Sequence, residues 1–349
     1  MSRVAAIGWR AAMESALYGR GGFFVQAADG PANHFRTSAH ASPLFAAAML
    51  RLIERVDTAL GHPDRFEVVD VGAGRGELLG TMRSRLLSTM PAMRERTRFT
   101  AVELAPRPEW LDPGVEWRRD IPDGIVGLLV ATEWLDNVPL DVAEVDADGR
   151  LRRVLTDPAT GVETLNGGVD AGDAFWLARW WPGACRTAGP ETPSPSLAPG
   201  ERAEIGWPRD RAWSDAVSRV RRGCALAVDY GHLRNARPPF GTLTGFLGGR
   251  QVPPAADGSR DVTAHVAMDA VAAAGGTPYA LVHQRRALTA LGVDGRRPAL
   301  DLARTDPVGY VRALSAASAA AELLEPAGLG GHWWLLHGIG IDPHGIIAP

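Results

Sequence analysis

Residues 66–76 read FEVVDVGAGRG, from Phe66 to Gly76. Four apolar or β-branched residues, Phe66, Val68, Val69 and Val71, surround Asp70 and run straight into a glycine turn. Such a continuous apolar run suits a central parallel strand buried on both faces. Gly72, Gly74 and Gly76 then punctuate the turn, and Glu77 to Leu87 reads as helix. Glycine opens backbone angles closed to other residues and lets a ligand lie directly against the main chain. The helix start beyond it offers unpaired N–H groups. Together these features predict a strand, turn and helix that cradle a nucleotide-like cofactor.

The spacing is G-x-G-x-G, whereas a dinucleotide pyrophosphate calls for G-x-G-x-x-G. Led by an acid inside the strand, the turn resembles motif I of class I S-adenosylmethionine-dependent methyltransferases. That resemblance implies that Gly72, Ala73, Gly74 and Gly76 pack against the methionine half of S-adenosyl-L-methionine, with Asp70 supporting the loop or the cofactor's ammonium. Two further acids fit. The strand candidate Arg98 to Val102 ends at Glu103-Leu104, where a carboxylate can accept both ribose hydroxyls. The strand candidate Val115 to Arg118 leads to Asp120-Ile121, an acid for the adenine amino group and an apolar cover for the ring. A dinucleotide enzyme also places an acid after its second strand, so Glu103 alone does not discriminate; Asp120 and the glycine spacing do. A dinucleotide site, and a turn that merely packs a helix on a sheet, are the alternatives.

At 349 residues the chain holds one large domain or two modest ones, and its net charge of -3 is close to neutral. No basic run interleaved with aromatics argues for nucleic acid. No stretch of 18 uncharged apolar residues argues for a membrane span. The N-terminus lacks the apolar core and cleavage pattern of a secretory signal. Two cysteines, Cys185 and Cys224, make neither a disulfide framework nor a zinc site, and no spaced ligand cluster suggests another metal. These features lead to the expectation of a soluble, cytoplasmic protein; a homodimer stays open.

Ser42-Pro43 reads as an N-cap followed by Pro at the first helical position. Phe45, Met49, Leu52, Ile53, Val56 and Leu60 then recur at helical spacing. Strand and helix signals alternate through residue 131, which predicts an α/β fold with a doubly wound, mostly parallel sheet. From 141 to 166 the pattern changes character, and DVAEVDADGRLRRVL at 141–155 reads as a β-hairpin turning at Asp148-Gly149. A Trp-rich stretch (Trp176, Trp180, Trp181) and a Pro/Ser/Gly loop from Gly189 to Gly200 follow. The sheet resumes at Ala225 to Val228, ending in Asp229-Tyr230-Gly231. A helix is expected to open near Asp261 or Thr263 and close at Gly275-Gly276. Tyr279 to His283 reads as strand, Asp306-Pro307 opens a long helix, and HWWLLHGIG forms a tail strand. The expected division is an N-terminal helical or lid segment at 1–60, a Rossmann-like cofactor domain at 61–140 and 222–349, and an inserted α+β substrate-side cap at 141–221.

In order along the chain, these landmarks resemble the MidA-type methyltransferase family, whose mitochondrial branch is linked to complex I assembly and protein-arginine methylation. Ala16-Leu17-Tyr18-Gly19 with Gly22-Phe23-Phe24 resembles its N-terminal segment. His34-Phe35-Arg36-Thr37-Ser38 resembles its G-D-F-x-T segment, and ATEWLDNVP at 131–139 its motif IV. VDYG at 228–231, GTL at 241–243 and DVTAHV at 261–266 complete the series. The chain departs from the family at Asn33, His34, Thr132 and Asn137, which bears on the acceptor more than on the cofactor.

Methyl transfer is an in-line displacement, so proximity and alignment dominate. A nitrogen or oxygen acceptor also calls for a carboxylate that orients it or takes its proton. Glu133 and Asp136 follow the fourth strand, where open α/β sheets bind ligands, and are the candidates for clamping a guanidinium. Asp229 and Tyr230 are candidates for the acceptor pocket, Asp229 equally for capping its own turn. Thr37 and Ser38 are candidates for a lid over the cofactor, and Glu133 also for contact with it. Asp261 and His265 are expected to be an N-cap and a helix-face residue. The resemblance implies methylation of a protein side-chain nitrogen, arginine first. A small molecule or modified peptide is the alternative acceptor, and a cofactor-binding assembly chaperone with little turnover is a reading from another class.

Overall fold

A computed structural model describes residues 5–25, 38, 42–181 and 198–347. Thr37 and the rest of His34–Thr37, Cys185 and most of the Gly189–Gly200 loop lie outside the described residues. The chain divides into two compact units, one of residues 36–134, 216–230 and 277–349, the other of 1–35, 135–215 and 231–276.

The first unit is built on a seven-stranded sheet. Its strands are β1 (Phe66–Val71), β2 (Thr97–Val102), β3 (Val115–Arg118), β4 (Ile125–Thr132), β5 (Val220–Asp229), β6 (Tyr279–His283) and β7 (Trp333–Ile339). They lie in the order β6-β7-β5-β4-β1-β2-β3. β3, β2, β1, β4 and β5 are mutually parallel, and β7 runs antiparallel to both its neighbours. The central strands are apolar on both faces because helices cover both faces of a parallel sheet: β4 is buried from Ile125 to Ala131.

The register sets up the functional edge. Val71 pairs with Val102 and with Ala131, while Val228 pairs with Thr132. The carboxyl ends of β1, β2, β4 and β5 are therefore level, and the residues just beyond them leave the sheet on one edge. Helix α1 (Pro43–Ala59) opens as its sequence predicts, with the Ser42 hydroxyl accepting the Leu44 N–H at 3.1 Å and Pro43 at the first position. Its apolar stripe, Phe45, Met49, Leu52, Ile53 and Val56, is fully buried with Leu79 and Met82 of α2 (Glu77–Thr89) and with the sheet core. Burial of such side chains contributes roughly 1.5–3 kcal/mol each.

The second unit carries an antiparallel sheet of Ile7–Gly8, Leu151–Thr156, Asp141–Val145 and Arg202–Ile205, with Glu163–Gly168 added beside Leu151–Thr156. The expected hairpin is present: Val145 faces Leu151, Gly149 takes φ 76°, and Asp146 accepts the N–H groups of Asp148 and Arg150. Trp176 and Trp181 are buried with Leu177, Ala203 and Ile205, so these tryptophans pack a core.

One expectation is corrected. No helix opens at Asp261 or Thr263: Asp261–Thr263 is a strand, antiparallel to Thr244–Leu247, and the helix runs over Met268–Ala274 before Gly275. Asp261 is thus no N-cap and His265 lies ahead of the helix. The β-branched pair Val262-Thr263 finds a strand partner that no local pattern announces. The unit bounds also differ from 1–60, 61–140 with 222–349, and 141–221. Residues 36–60 join the sheet unit because the stripe of α1 is buried in its core, as do residues 216–221. Residues 135–140 and 231–276 join the other unit, where Val262 and Ala264 pack with Trp9, Met13 and Leu17, and Gly231–His232 pairs with Val266–Ala267.

Candidate functional site

All three glycines after β1 take left-handed φ: 69° at Gly72, 58° at Gly74 and 81° at Gly76. L side chains rarely adopt this region. A β-carbon on Gly72 would lie 2.8 Å from Cδ1 of Trp134, and one on Gly76 would press on Leu111. At Gly74 the nearest atom among the described residues would be 4.0 Å away, the Glu77 carboxylate, so among the described residues the tip of the turn is uncrowded. The turn is tied down by the N–H groups of Gly72 and Ala73, both donating to the Val102 carbonyl.

Glu103, the first residue beyond β2, closes on that tip. Its Oε2 accepts the Gly74 N–H at 3.0 Å, and its Oε1 accepts the N–H groups of Leu104 and Ala105. Burial holds its carboxyl above the ordinary range, and the three N–H donors act in the opposite direction. Asp70 is 2 % exposed, and its Oδ1 has no hydrogen-bond partner among the described residues. Burial first, then the nearby Glu103 and Glu77 carboxylates, push its carboxyl up to about 8. A buried acid left without a counter-charge suits a cationic ligand group.

Beyond β3, Asp120 is exposed and Ile121 half-buried. Leu104 is exposed as well, as is Trp110, over whose ring the Arg75 guanidinium lies at 5.8 Å. Asp70, Gly74 and Glu103 are thus joined in one electrostatic and hydrogen-bonded group, while Asp120 and the Leu104 side chain are exposed and Ile121 is half-buried.

A second group gathers after β4. Glu133 takes φ 51°, its N–H donating to the Val228 carbonyl at 2.7 Å. Holding a non-glycine residue there costs on the order of 1–3 kcal/mol and is characteristic of functional positions. Its Oε1 accepts the Ser38 N–H at 3.0 Å and lies 4.0 Å from Nδ1 of His332. Tyr230 packs its ring 5.6 Å from that imidazole. Asp229, buried, accepts the Tyr230 N–H and so caps its own turn. Gln284 organises the group: its side-chain N–H groups donate to Ser38 Oγ and the Leu329 carbonyl, and its backbone N–H donates to the His332 carbonyl.

Asp136 belongs to the other unit. Its Oδ2 accepts the Thr263 hydroxyl at 2.8 Å, and its carbonyl accepts from the Arg209 guanidinium. Next to it, Asn137 donates to Asp261 at 2.8 Å and its carbonyl accepts the Tyr18 hydroxyl. Asp261 and Thr263 therefore act as partners of the motif IV residues. Gln284 and His332 carried no functional signal in the sequence; His332 is legible only as the residue leading the tail strand.

The residues suit S-adenosyl-L-methionine: an acid orphaned in the core for a cation, an open glycine tip, and a carboxylate at the second strand's end. Residues 49–283 match the family model described as "Putative S-adenosyl-L-methionine-dependent methyltransferase". The chain is similar in fold to a crystal structure of a superfamily member from Burkholderia thailandensis bound to S-adenosyl-homocysteine. Identity is 24%, with 98% of this chain and 90% of that chain covered, and the TM-score is 0.77. A native crystal structure of an uncharacterized protein from the same organism matches at 24% identity, over the same shares, with a TM-score of 0.74. No curated protein matches the chain. Among the described residues, no helix is long and apolar enough to cross a membrane, and no three His, Cys, Asp or Glu gather to hold a metal ion.

Proposed function

Because the chain belongs to this family of S-adenosyl-L-methionine-dependent methyltransferases, we propose that the methyl group goes to a protein side-chain nitrogen. Arginine is the residue favoured by the resemblance to the MidA-type family. When bound, the cofactor supplies a methyl group on a sulfonium, and the protein's task is to align an acceptor with it. In this reading the glycine turn and Asp70 hold the methionine half, Glu103 holds the ribose hydroxyls, and Leu104, Asp120 and Ile121 border the adenine. Thr37, the remaining cofactor candidate, lies outside the described residues.

The observation that carries the acceptor assignment is Glu133. Its strained backbone aims a carboxylate that is 10 % exposed, at the level edge where β4 and β5 end. A carboxylate so enclosed pairs well with a slender cationic side chain such as a guanidinium. Tyr230 stands beside it as a wall of the acceptor pocket, whereas Asp229 caps its own turn and Asp136 accepts the Thr263 hydroxyl. The second reading, a small molecule or modified peptide, is favoured by Thr132 and Asn137, where the chain departs from the MidA-type motif. A cytoplasmic location belongs to the same proposal.

The test is labelling of a cell lysate with methyl-tritiated cofactor and wild-type or Glu133→Gln protein. Label in the protein fraction, recovered as methylated arginine and lost with Glu133→Gln, is the expected result. Label confined to small molecules would overturn the acceptor assignment in favour of the second reading. Turnover unaffected by Glu133→Gln would remove Glu133 from the chemistry.

A further inference from the structure

We propose that the second unit binds one structural water molecule, held by His232, Glu204 and Asp210. The proposal rests neither on the cofactor reading nor on the acceptor reading. His232 is buried, and its tautomer is set by its neighbour. The Arg237 guanidinium lies 2.8 Å from its Nδ1 and donates to its carbonyl at 3.0 Å. A guanidinium has donors only, so Nδ1 accepts and the neutral ring carries its proton on Nε2. Arg237 is itself fixed, donating to the Trp180 carbonyl at 3.0 Å and pairing with Asp269 at 2.6 Å. Trp181 meets the imidazole edge-on, with the ring centroids 5.4 Å apart.

The Nε2–H so placed is a buried donor with no hydrogen-bond partner among the described residues. Glu204 Oε2 stands 3.9 Å from it, too far for a direct bond and close enough for one oxygen to bridge. The carboxylate is held where it stands by the segment beside it. Oε1 accepts the N–H groups of Thr242 and Leu243, and both oxygens share the Thr242 hydroxyl. That hydroxyl in turn accepts the His265 N–H at 2.8 Å. Asp210 is the third group. Its Oδ2 accepts the Trp176 indole N–H at 2.6 Å, while its buried Oδ1 has no hydrogen-bond partner among the described residues. Burial above all pushes this carboxyl up to about 6, as expected of an acceptor short of donors.

These three side chains line one cavity of the second unit, together with Leu140, Trp181 and Val271. Its volume of about 10 Å³ admits the centre of a single water molecule and no larger ligand. A water there accepts the His232 Nε2–H and donates to Glu204 Oε2 and to Asp210 Oδ1. Three bonds are the usual complement of a buried water. Without the bridge, one donor and one acceptor stay buried and unmade, which is the costly alternative. A metal ion is the weaker occupant, because among the described residues no three His, Cys, Asp or Glu gather to hold one. The water joins strand Arg202–Ile205, helix Trp207–Ser218 and strand Gly231–His232 at a point where their side chains do not meet directly.

The experiment is a high-resolution crystal structure of the full chain, paired with NMR of protein carrying nitrogen-labelled histidine. In the spectra, His232 is recognised by its contacts with the Trp181 ring. The expected result is one density peak within about 2.7–3.2 Å of His232 Nε2, Glu204 Oε2 and Asp210 Oδ1. The NMR should show the Nε2–H tautomer, with that proton giving an Overhauser contact to a long-lived water. A cavity without density, a direct His232–Glu204 hydrogen bond, or a peak with the short distances of a bound metal ion would each overturn the proposal. So would an Nδ1–H tautomer, or an Nε2–H proton with no water contact. None of these readouts depends on methyl transfer, so their failure is distinct from failure of the acceptor reading.

Discussion

Glu103 accepts the N–H of Gly74 at 3.0 Å, so a carboxylate from the end of one strand holds the tip of the glycine turn that follows its neighbour. The same carboxylate takes two more N–H groups from its own loop. It is therefore already fixed in position, and in the proposed role of ribose acceptor little ordering would remain to be done on binding.

Replacing Glu103 by Gln keeps the shape but removes the charge and one acceptor. A hydrogen bond to a charged group contributes about 1.5–3 kcal/mol. Affinity for S-adenosylhomocysteine should therefore fall by roughly 10- to 150-fold. Calorimetric titration of the two proteins checks this, and equal affinities would remove Glu103 from the cofactor site.

If Asp70 holds the cofactor's cation as proposed, cofactor binding is a proton-releasing event. With its carboxyl raised to about 8, the free protein carries it largely neutral at pH 7, and a cationic ligand group beside it drives ionisation. Calorimetry at pH 7 in buffers of different ionisation heat should show release approaching one proton, absent in Asp70→Asn. Folding is linked with the same sign. The stability that protonated Asp70 contributes is fully present below about pH 4 and is lost as pH rises through about 8. Asp70→Asn should accordingly lose less thermal stability than wild type between pH 5 and 9.

His337 acts in the opposite direction. It is fully buried within β7, and burial lowers its imidazole to about 4 despite the Thr277 contact at 3.0 Å. Its contribution is present above the unfolded value of 6.5 and is lost as pH falls towards about 4. The expected loss is about 1.4 kcal/mol per pH unit inside that window, up to about 3 kcal/mol. Denaturant unfolding at pH 7 and pH 5 should show a smaller pH dependence for His337→Gln than for wild type.

Asn137 is a structural test of motif IV. Its amide donates to Asp261 at 2.8 Å in a buried setting, so Asn137→Ala withdraws one donor from a buried carboxylate. A cost of about 1–3 kcal/mol in denaturant unfolding is expected. Affinity for S-adenosylhomocysteine should stay within about twofold, because Asp70, Gly74 and Glu103 belong to the other unit.

Features that depend on neighbours in the chain were legible in the residues alone. The β1 strand and its glycine turn, the Ser42-Pro43 helix start, the turn at Gly149 and the tail strand all rest on short-range rules. These are apolar runs, capping chemistry and backbone angles that few residues tolerate. From those landmarks followed the α/β class and the proposal of Asp70 and Glu103 as cofactor acids. Tertiary structure decided the rest. Ser38, Glu133, Gln284 and His332 are far apart in the chain and meet only because β4, β6 and β7 enter one sheet. Asp136 follows Glu133 by three residues, yet its carboxylate is bound by Thr263 in the other unit. Asp261–Thr263 became strand because Thr244–Phe246 lay alongside it. Strand pairing and buried polar partnerships are long-range contacts, and a linear pattern carries no record of which distant group will satisfy a given one.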